Sequence, residues 1–124
     1  MPAWARLTWG EGDTPAGEAP ELASTLGLER LVLKREDLNP TGSFKDRGLA
    51  YQASATLAAS PEAPCWIISS SGNAAVASAR AAARAGRLLA AFLAPGTDPA
   101  KRVALAAEGA LVFLTPSALT MAEE

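Results

Sequence analysis

Apolar residues in this chain fall into short unbroken runs, separated by segments with the caps and stops of helices. Leu31-Val32-Leu33, running into Lys34-Arg35, with Cys65-Trp66-Ile67-Ile68, residues 88–93 and residues 111–114, are the runs, and they read as strands. Between them, residues 43–59 read as a helix closed by Ser60-Pro61. An alanine-rich helix follows the polar turn Ser69-Ser70-Ser71-Gly72 and stops at Gly86. A third starts at Thr97-Asp98-Pro99, with Thr97 or Asp98 as cap and Pro99 in the first helical position, and ends at Gly109. Residues 1–29, rich in Gly, Pro and Glu, read as loop with one short helix over residues 21–26. Residues 116–124 read as helical.

Strand and helix thus alternate about four times. Unbroken apolar strands alternating with helices predict an α/β fold, a mostly parallel twisted sheet with flanking helices on both faces. Ala74, Ala75, Ala77, Ala81 and Ala82 on the second long helix predict close helix–sheet packing.

Composition narrows the chemistry. At 124 residues and 49% hydrophobic, the chain is long and apolar enough for one compact domain. The net charge of −2 comes with no single-sign run, so nucleic acid and anionic membrane surfaces are not expected partners. One cysteine, Cys65, allows no internal disulfide, and with no histidine no metal site is expected. The absence of histidine also removes Ser-His and Cys-His nucleophile pairs. The N-terminus lacks a signal pattern and the apolar run at 88–95 is too short to span a bilayer, so a cytoplasmic protein is expected.

Two motifs carry candidate chemistry. In Asn39-Pro40-Thr41-Gly42-Ser43-Phe44-Lys45-Asp46-Arg47-Gly48, the plain reading is a turn and a helix, with Ser43 and Asp46 as a capping box. The sharper reading turns on Lys45. A lysine in the first turn of a helix sits at the positive end of the helix dipole, where an ammonium is disfavoured. A neutral amine is what condensation with an aldehyde needs. The second motif is Ser69-Ser70-Ser71-Gly72-Asn73, between a strand and a helix. Its plain reading is an N-cap. Its functional reading is an anion site, built from free backbone N–H groups and hydroxyls at the carboxyl end of a parallel strand.

Together the two motifs resemble the threonine synthase group of fold-type II pyridoxal-phosphate (PLP) enzymes, whose fold is of the tryptophan synthase β type. Glu11-Gly12-Asp13-Thr14-Pro15 and Lys34-Arg35-Glu36-Asp37-Leu38-Asn39 resemble the elements that precede the lysine motif there. Ala74 after Gly72-Asn73 separates the chain from threonine and serine dehydratases, which usually read G-N-H, and from cysteine synthases, which read G-N-T. Cysteate synthase is a close relative in this respect.

The resemblance implies PLP as cofactor, with Lys45 carrying it as a Schiff base and then serving as the base that moves protons. It implies that Asn73 binds the cofactor's phenolic oxygen. Ser70, Ser71, Gly72 and Asn73 hold the substrate carboxylate, and Ser43 and Phe44 support the cofactor. Asp46 and Arg47 remain structural. The implied reaction converts O-phosphohomoserine and water to threonine and phosphate, and the implied assembly is a homodimer. Residues 1–40 correspond to N-terminal elements of the family's large domain, and 41–124 to a partly complete small α/β domain. In the family, the glycine-rich loop that grips the PLP phosphate lies downstream of these motifs. Residues 1–124 supply no counterpart, so a catalytically incomplete module of the same family is the alternative.

Overall fold

The computed structural model describes residues 1–116. A 3₁₀ turn at Ala3–Ala5 leads to strand β1 (Ala16–Glu18), helix α1 (Pro20–Thr25) and strand β2 (Val32–Lys34). A second 3₁₀ turn, Glu36–Leu38, precedes α2 (Lys45–Ala59), and β3 (Cys65–Ser69), α3 (Asn73–Ala85), β4 (Leu88–Leu93), α4 (Pro99–Ala107) and β5 (Leu111–Leu114) follow. The helix expected over 116–124 lies almost wholly outside the described residues.

Strands β3, β4 and β5 form a parallel sheet in that order, with Trp66 opposite Leu89 and Ala91 opposite Val112. The fold class is therefore the expected α/β one, but two features differ from the sequence reading. First, β2 is not a member of this sheet. It pairs antiparallel with β1, Gly17 opposite Leu33, in a separate two-stranded ribbon. Every residue of β1 is exposed, so it carries no apolar pattern by which to find it.

Second, the parallel sheet is covered on one face. Leu89, Ala91 and Leu93 point into a core with Ala75, Val76, Ala79 and Ala82 of α3 and Leu105 of α4. Leu93 and Leu105 are fully buried, each contributing roughly 1.5–3 kcal/mol. The alternate residues Ile67, Leu88, Leu111 and Phe113 are exposed, and Phe113 stacks on Phe92 with ring centroids 5.1 Å apart. Apolar side chains on both faces of a strand signalled two-sided burial. Among the described residues, helices supply it on one side.

Ala75 and Ala82 of α3 pack on the sheet as expected, while Ala81 serves a helix–helix contact instead. Ala81 of α3 meets Ala50 and Ala53 of α2, with Trp9 and Trp66 closing the cluster. Side chains this small let two helix backbones approach closely. Ser54 of α2 pins the N-terminal segment, its buried hydroxyl accepting from Leu7 N at 2.9 Å. Gly86 ends α3 in the left-handed conformation (φ 64°), and Arg87 N returns to Ala82 O at 2.9 Å.

Candidate functional site

Lys45 is the first residue of α2, half-buried, with its Nζ 4.7 Å from the centre of the exposed Phe44 ring. The residues on either side of the lysine fix its backbone. The Asp46 carboxylate, fully buried, accepts from Thr41 N at 2.7 Å and from Thr41 Oγ1 at 2.5 Å, closing the turn 41–46. Ser43 Oγ, also buried, accepts from Lys45 N at 3.3 Å. The capping box is thus half-formed: Ser43 accepts from the helix start, while Asp46 reaches back to Thr41 instead of Ser43.

Arg47 ties the lysine motif to the two segments before it. Its guanidinium meets Glu36 and also donates to Thr14 Oγ1 at 3.2 Å. Glu36 accepts further from Thr14 Oγ1 at 2.9 Å and from Asn39 Nδ2 at 2.9 Å. Asn39, buried, accepts from Gly12 N at 3.0 Å. The Arg47 hydrogen bond above all, then those of Asn39 and Thr14, pull the Glu36 carboxyl from its usual 4.5 down to about 2. Gly12 sits at φ 93°, and a Cβ there would lie 3.1 Å from Arg47 Nη1. One polar network therefore joins the Glu11–Pro15, Lys34–Asn39 and Asn39–Gly48 motifs. The sequence left Arg47 as structural, and this is the structural role it has.

Ser70, Ser71 and Gly72 form the loop between β3 and α3, and Asn73 opens α3, as expected. The 13-residue α3 begins with no side-chain cap; Ala75 N donates to Gly72 O at 3.1 Å, and the N–H groups of Asn73 and Ala74 are the kind of donors that suit an anion. Within the loop, Ser70 Oγ accepts from Gly72 N at 3.3 Å, and Ser71 Oγ accepts from Ala94 N at 3.0 Å. The Asn73 Oδ1 accepts from Lys101 Nζ on α4, a residue the sequence reading missed. The signal available was its place in the first turn of the Asp98-capped helix.

Helix α3 leaves the carboxyl end of β3 and returns through residues 86–87 to the amino end of β4. Helix α2 closes at that same amino edge, where Leu88 N donates to Pro64 O at 3.2 Å. Its first turn lies a helix length of roughly 22 Å away. A cavity of about 340 Å³ between α2, α3 and β3 is lined by Gln52, Thr56, Cys65, Trp66 and Ser78 among others, and by none of the expected site residues. No helix among the described residues is long and apolar enough to cross a membrane.

The groups present fit PLP in kind: a primary amine at a helix start, a carboxamide, two hydroxyls and an uncapped helix N-terminus. Comparison with known proteins agrees. Residues 7–124 match the family described as pyridoxal-phosphate dependent enzyme. The threonine synthase of Mycobacterium leprae is 43% identical over 83 residues, 67% of this chain and 22% of that protein. That of Synechocystis is 44% identical over 77 residues, covering 61% of this chain and 20% of the relative. Among solved structures, a pyridoxal 5'-phosphate-dependent aspartate racemase superposes with a TM-score of 0.83 at 27% identity, covering 89% of this chain and 36% of that one. A threonine deaminase from Solanum lycopersicum gives 0.74 at 30%, covering 88% and 31%. These matches span about a fifth of the length of the curated relatives. On these grounds the chain belongs to the pyridoxal-phosphate dependent enzyme family, with PLP as the indicated cofactor and the fold of type II.

Proposed function

We propose that this chain carries the lysine and the substrate-gripping loop of a threonine synthase-type enzyme acting on O-phosphohomoserine. The observation that supports it is that Lys45 opens α2 while α3, without a side-chain cap, opens at Asn73 directly after the loop of Ser70, Ser71 and Gly72. Curated relatives above 40% identity named threonine synthase support the substrate.

In this reading Lys45 Nζ holds the cofactor and carries protons between substrate carbons. The buried clasp of Asp46 on Thr41 and the Arg47–Glu36 pair fix the two residues that follow that lysine. The Ser70–Asn73 loop and the first-turn amides of α3 bind the substrate carboxylate, with the helix dipole favouring the negative charge. Asn73 would donate to the cofactor's phenolic oxygen, with Ser43 and Phe44 as adjacent support. PLP, when bound, supplies an electron sink at the substrate carbon. The boundary between large-domain elements and the small domain falls near residue 40. A dimer of such chains is part of the same reading.

A second reading, PLP-dependent deamination or racemisation, is favoured by the structural likeness to threonine deaminase and aspartate racemase. Against it stands Ala74 after Gly72-Asn73.

The test exploits the three lysines of the chain, Lys34, Lys45 and Lys101. Purified protein is incubated with PLP, reduced with borohydride and mapped by mass spectrometry. Label confined to Lys45, and lost in Lys45→Ala, is expected. Label spread evenly over the three would overturn the assignment. Phosphate release from O-phosphohomoserine, compared with ammonia release from threonine, then separates the two reactions.

A further inference from the structure

We infer that Lys101 is a positioning residue for Asn73, fixing its carboxamide so that the NH₂ group faces away from α4. The inference rests on the proposed role of Asn73 as a donor to the cofactor. An amide side chain has two ends of opposite character, and which end faces the site decides whether it donates or accepts there. A lysine ammonium has donors only. The Asn73 atom that Lys101 meets must therefore be the carbonyl oxygen, Oδ1, as the structure has it. Nδ2 is then turned to the opposite side as a pure donor. A phenolate oxygen, an acceptor, is the partner that such an orientation selects.

The support behind Lys101 is built to hold still. Asp98 Oδ1 caps α4, accepting from Ala100 N at 2.8 Å, and Lys101 N donates to Asp98 O at 3.0 Å. Thr97, buried, donates to Ala94 O at 2.6 Å, and Ala94 N in turn donates to Ser71 Oγ. The loop before α3 is thus tied to the loop before α4 at a second point. Further along, Leu105 anchors α4 in the core with no exposed surface. The Arg80–Glu108 ion pair, at 2.5 Å, holds the far end of α4 to α3. A flexible lysine stem mounted on a helix fixed at both ends can act as a strut.

The decisive measurement needs no cofactor. In protein labelled with ¹⁵N at asparagine, the two labelled side-chain amides, Asn39 and Asn73, are assigned with Asn73→Ala. Lys101→Met should shift the Asn73 NH₂ resonances toward those of a free amide and speed their exchange. Lys101→Arg, which keeps the donor, should restore them, and Asn39 should not move in either variant. Unchanged Asn73 resonances in Lys101→Met would overturn the inference, as would failure of arginine to rescue. A second readout is PLP affinity by visible absorption. Lys101→Met and Asn73→Ala should each weaken it by about tenfold, the scale of one hydrogen bond, and the double variant by no more than either alone. Additive losses would overturn the inference. If PLP fails to bind the unaltered protein at all, the cofactor reading falls while the amide resonances still decide the Lys101–Asn73 link.

Discussion

The Arg47 guanidinium meets the Glu36 carboxylate side-on, Nε 2.8 Å from Oε2 and Nη2 3.0 Å from Oε1. Two parallel N–H···O bonds make this the strongest geometry available to such a pair. The contact brings together residues 11 positions apart and places them directly behind the lysine that opens α2.

Glu36 accordingly predicts an acid-side dependence of stability. Its carboxyl titrates at about 2 in the folded chain against 4.5 ordinarily. A lowered folded-state value means that the stabilisation is complete above about pH 4.5 and lost as pH falls through about 2. Glu36→Gln should therefore be less stable than the unaltered chain at neutral pH, with the gap narrowing steadily below pH 4.5. Chemical denaturation at a series of pH values checks this. A gap constant down to pH 2.5 would show that the charge of Glu36 is not what matters.

Asp46→Ala removes a fully buried carboxylate and leaves Thr41 N and Thr41 Oγ1 without their acceptor. Hydrogen bonds to a charged group contribute about 1.5–3 kcal/mol each, and their energies are not additive. A loss of about 2–4 kcal/mol in urea unfolding is expected, together with faster proteolysis of the turn at 39–44. Asp46→Asn, which keeps one acceptor, should lie between. An effect on the surface-substitution scale, below about 0.5 kcal/mol, would mean that the turn does not depend on this carboxylate.

Much of the architecture behind these predictions was legible in the sequence, and the reasons are local. Residues 88–93 and 111–114 became β4 and β5 at the predicted positions because an unbroken apolar run has few other ways to be buried. Pro99 after Asp98 located the start of α4, and Gly86 the end of α3. What the sequence hid was long-range. Strand β1, with all three residues exposed, forms only because β2 pairs with it. Lys101 reaches Asn73 across 28 positions. The joining of three motifs through Glu36 also depends on a fold no single motif contains. For the site, Lys45 and the Ser70–Asn73 loop stand at the helix starts expected for them. The shared direction of Asn73 and Lys45 toward one cofactor belongs to the proposal, and the labelling experiment bears on it.

The open sheet face predicts association. Ile67, Leu88, Leu111 and Phe113 are exposed on one side of β3–β4–β5, a contiguous apolar patch of the kind that soluble monomers rarely leave bare. Phe113→Lys should lower self-association in sedimentation or light scattering while leaving the far-UV circular dichroism intact. Losing the stack on Phe92 costs about 0.5–1.5 kcal/mol, small enough for the fold to survive. If association is unchanged in Phe113→Lys and in Ile67→Lys alike, this face is not its cause.

Activity is expected to be slight in the 124-residue polypeptide itself. The matches with the curated relatives reach only about a fifth of those proteins' length. Among the described residues, the groups proposed to meet PLP are an amine, a carboxamide, hydroxyls and the first-turn amides of one helix. A phosphate dianion is best held by many convergent donors, and each such bond to a charged group is worth about 1.5–3 kcal/mol. Each such donor absent from the polypeptide under test weakens binding by roughly tenfold or more. PLP should therefore load only at high concentration, and phosphate release from O-phosphohomoserine should stay close to that of Lys45→Ala. Titration of the visible absorption with PLP, followed by a phosphate-release assay, measures both. Tight loading with robust Lys45-dependent turnover would mean that further phosphate donors reach the site, and a second copy of the chain would be the first place to look for them.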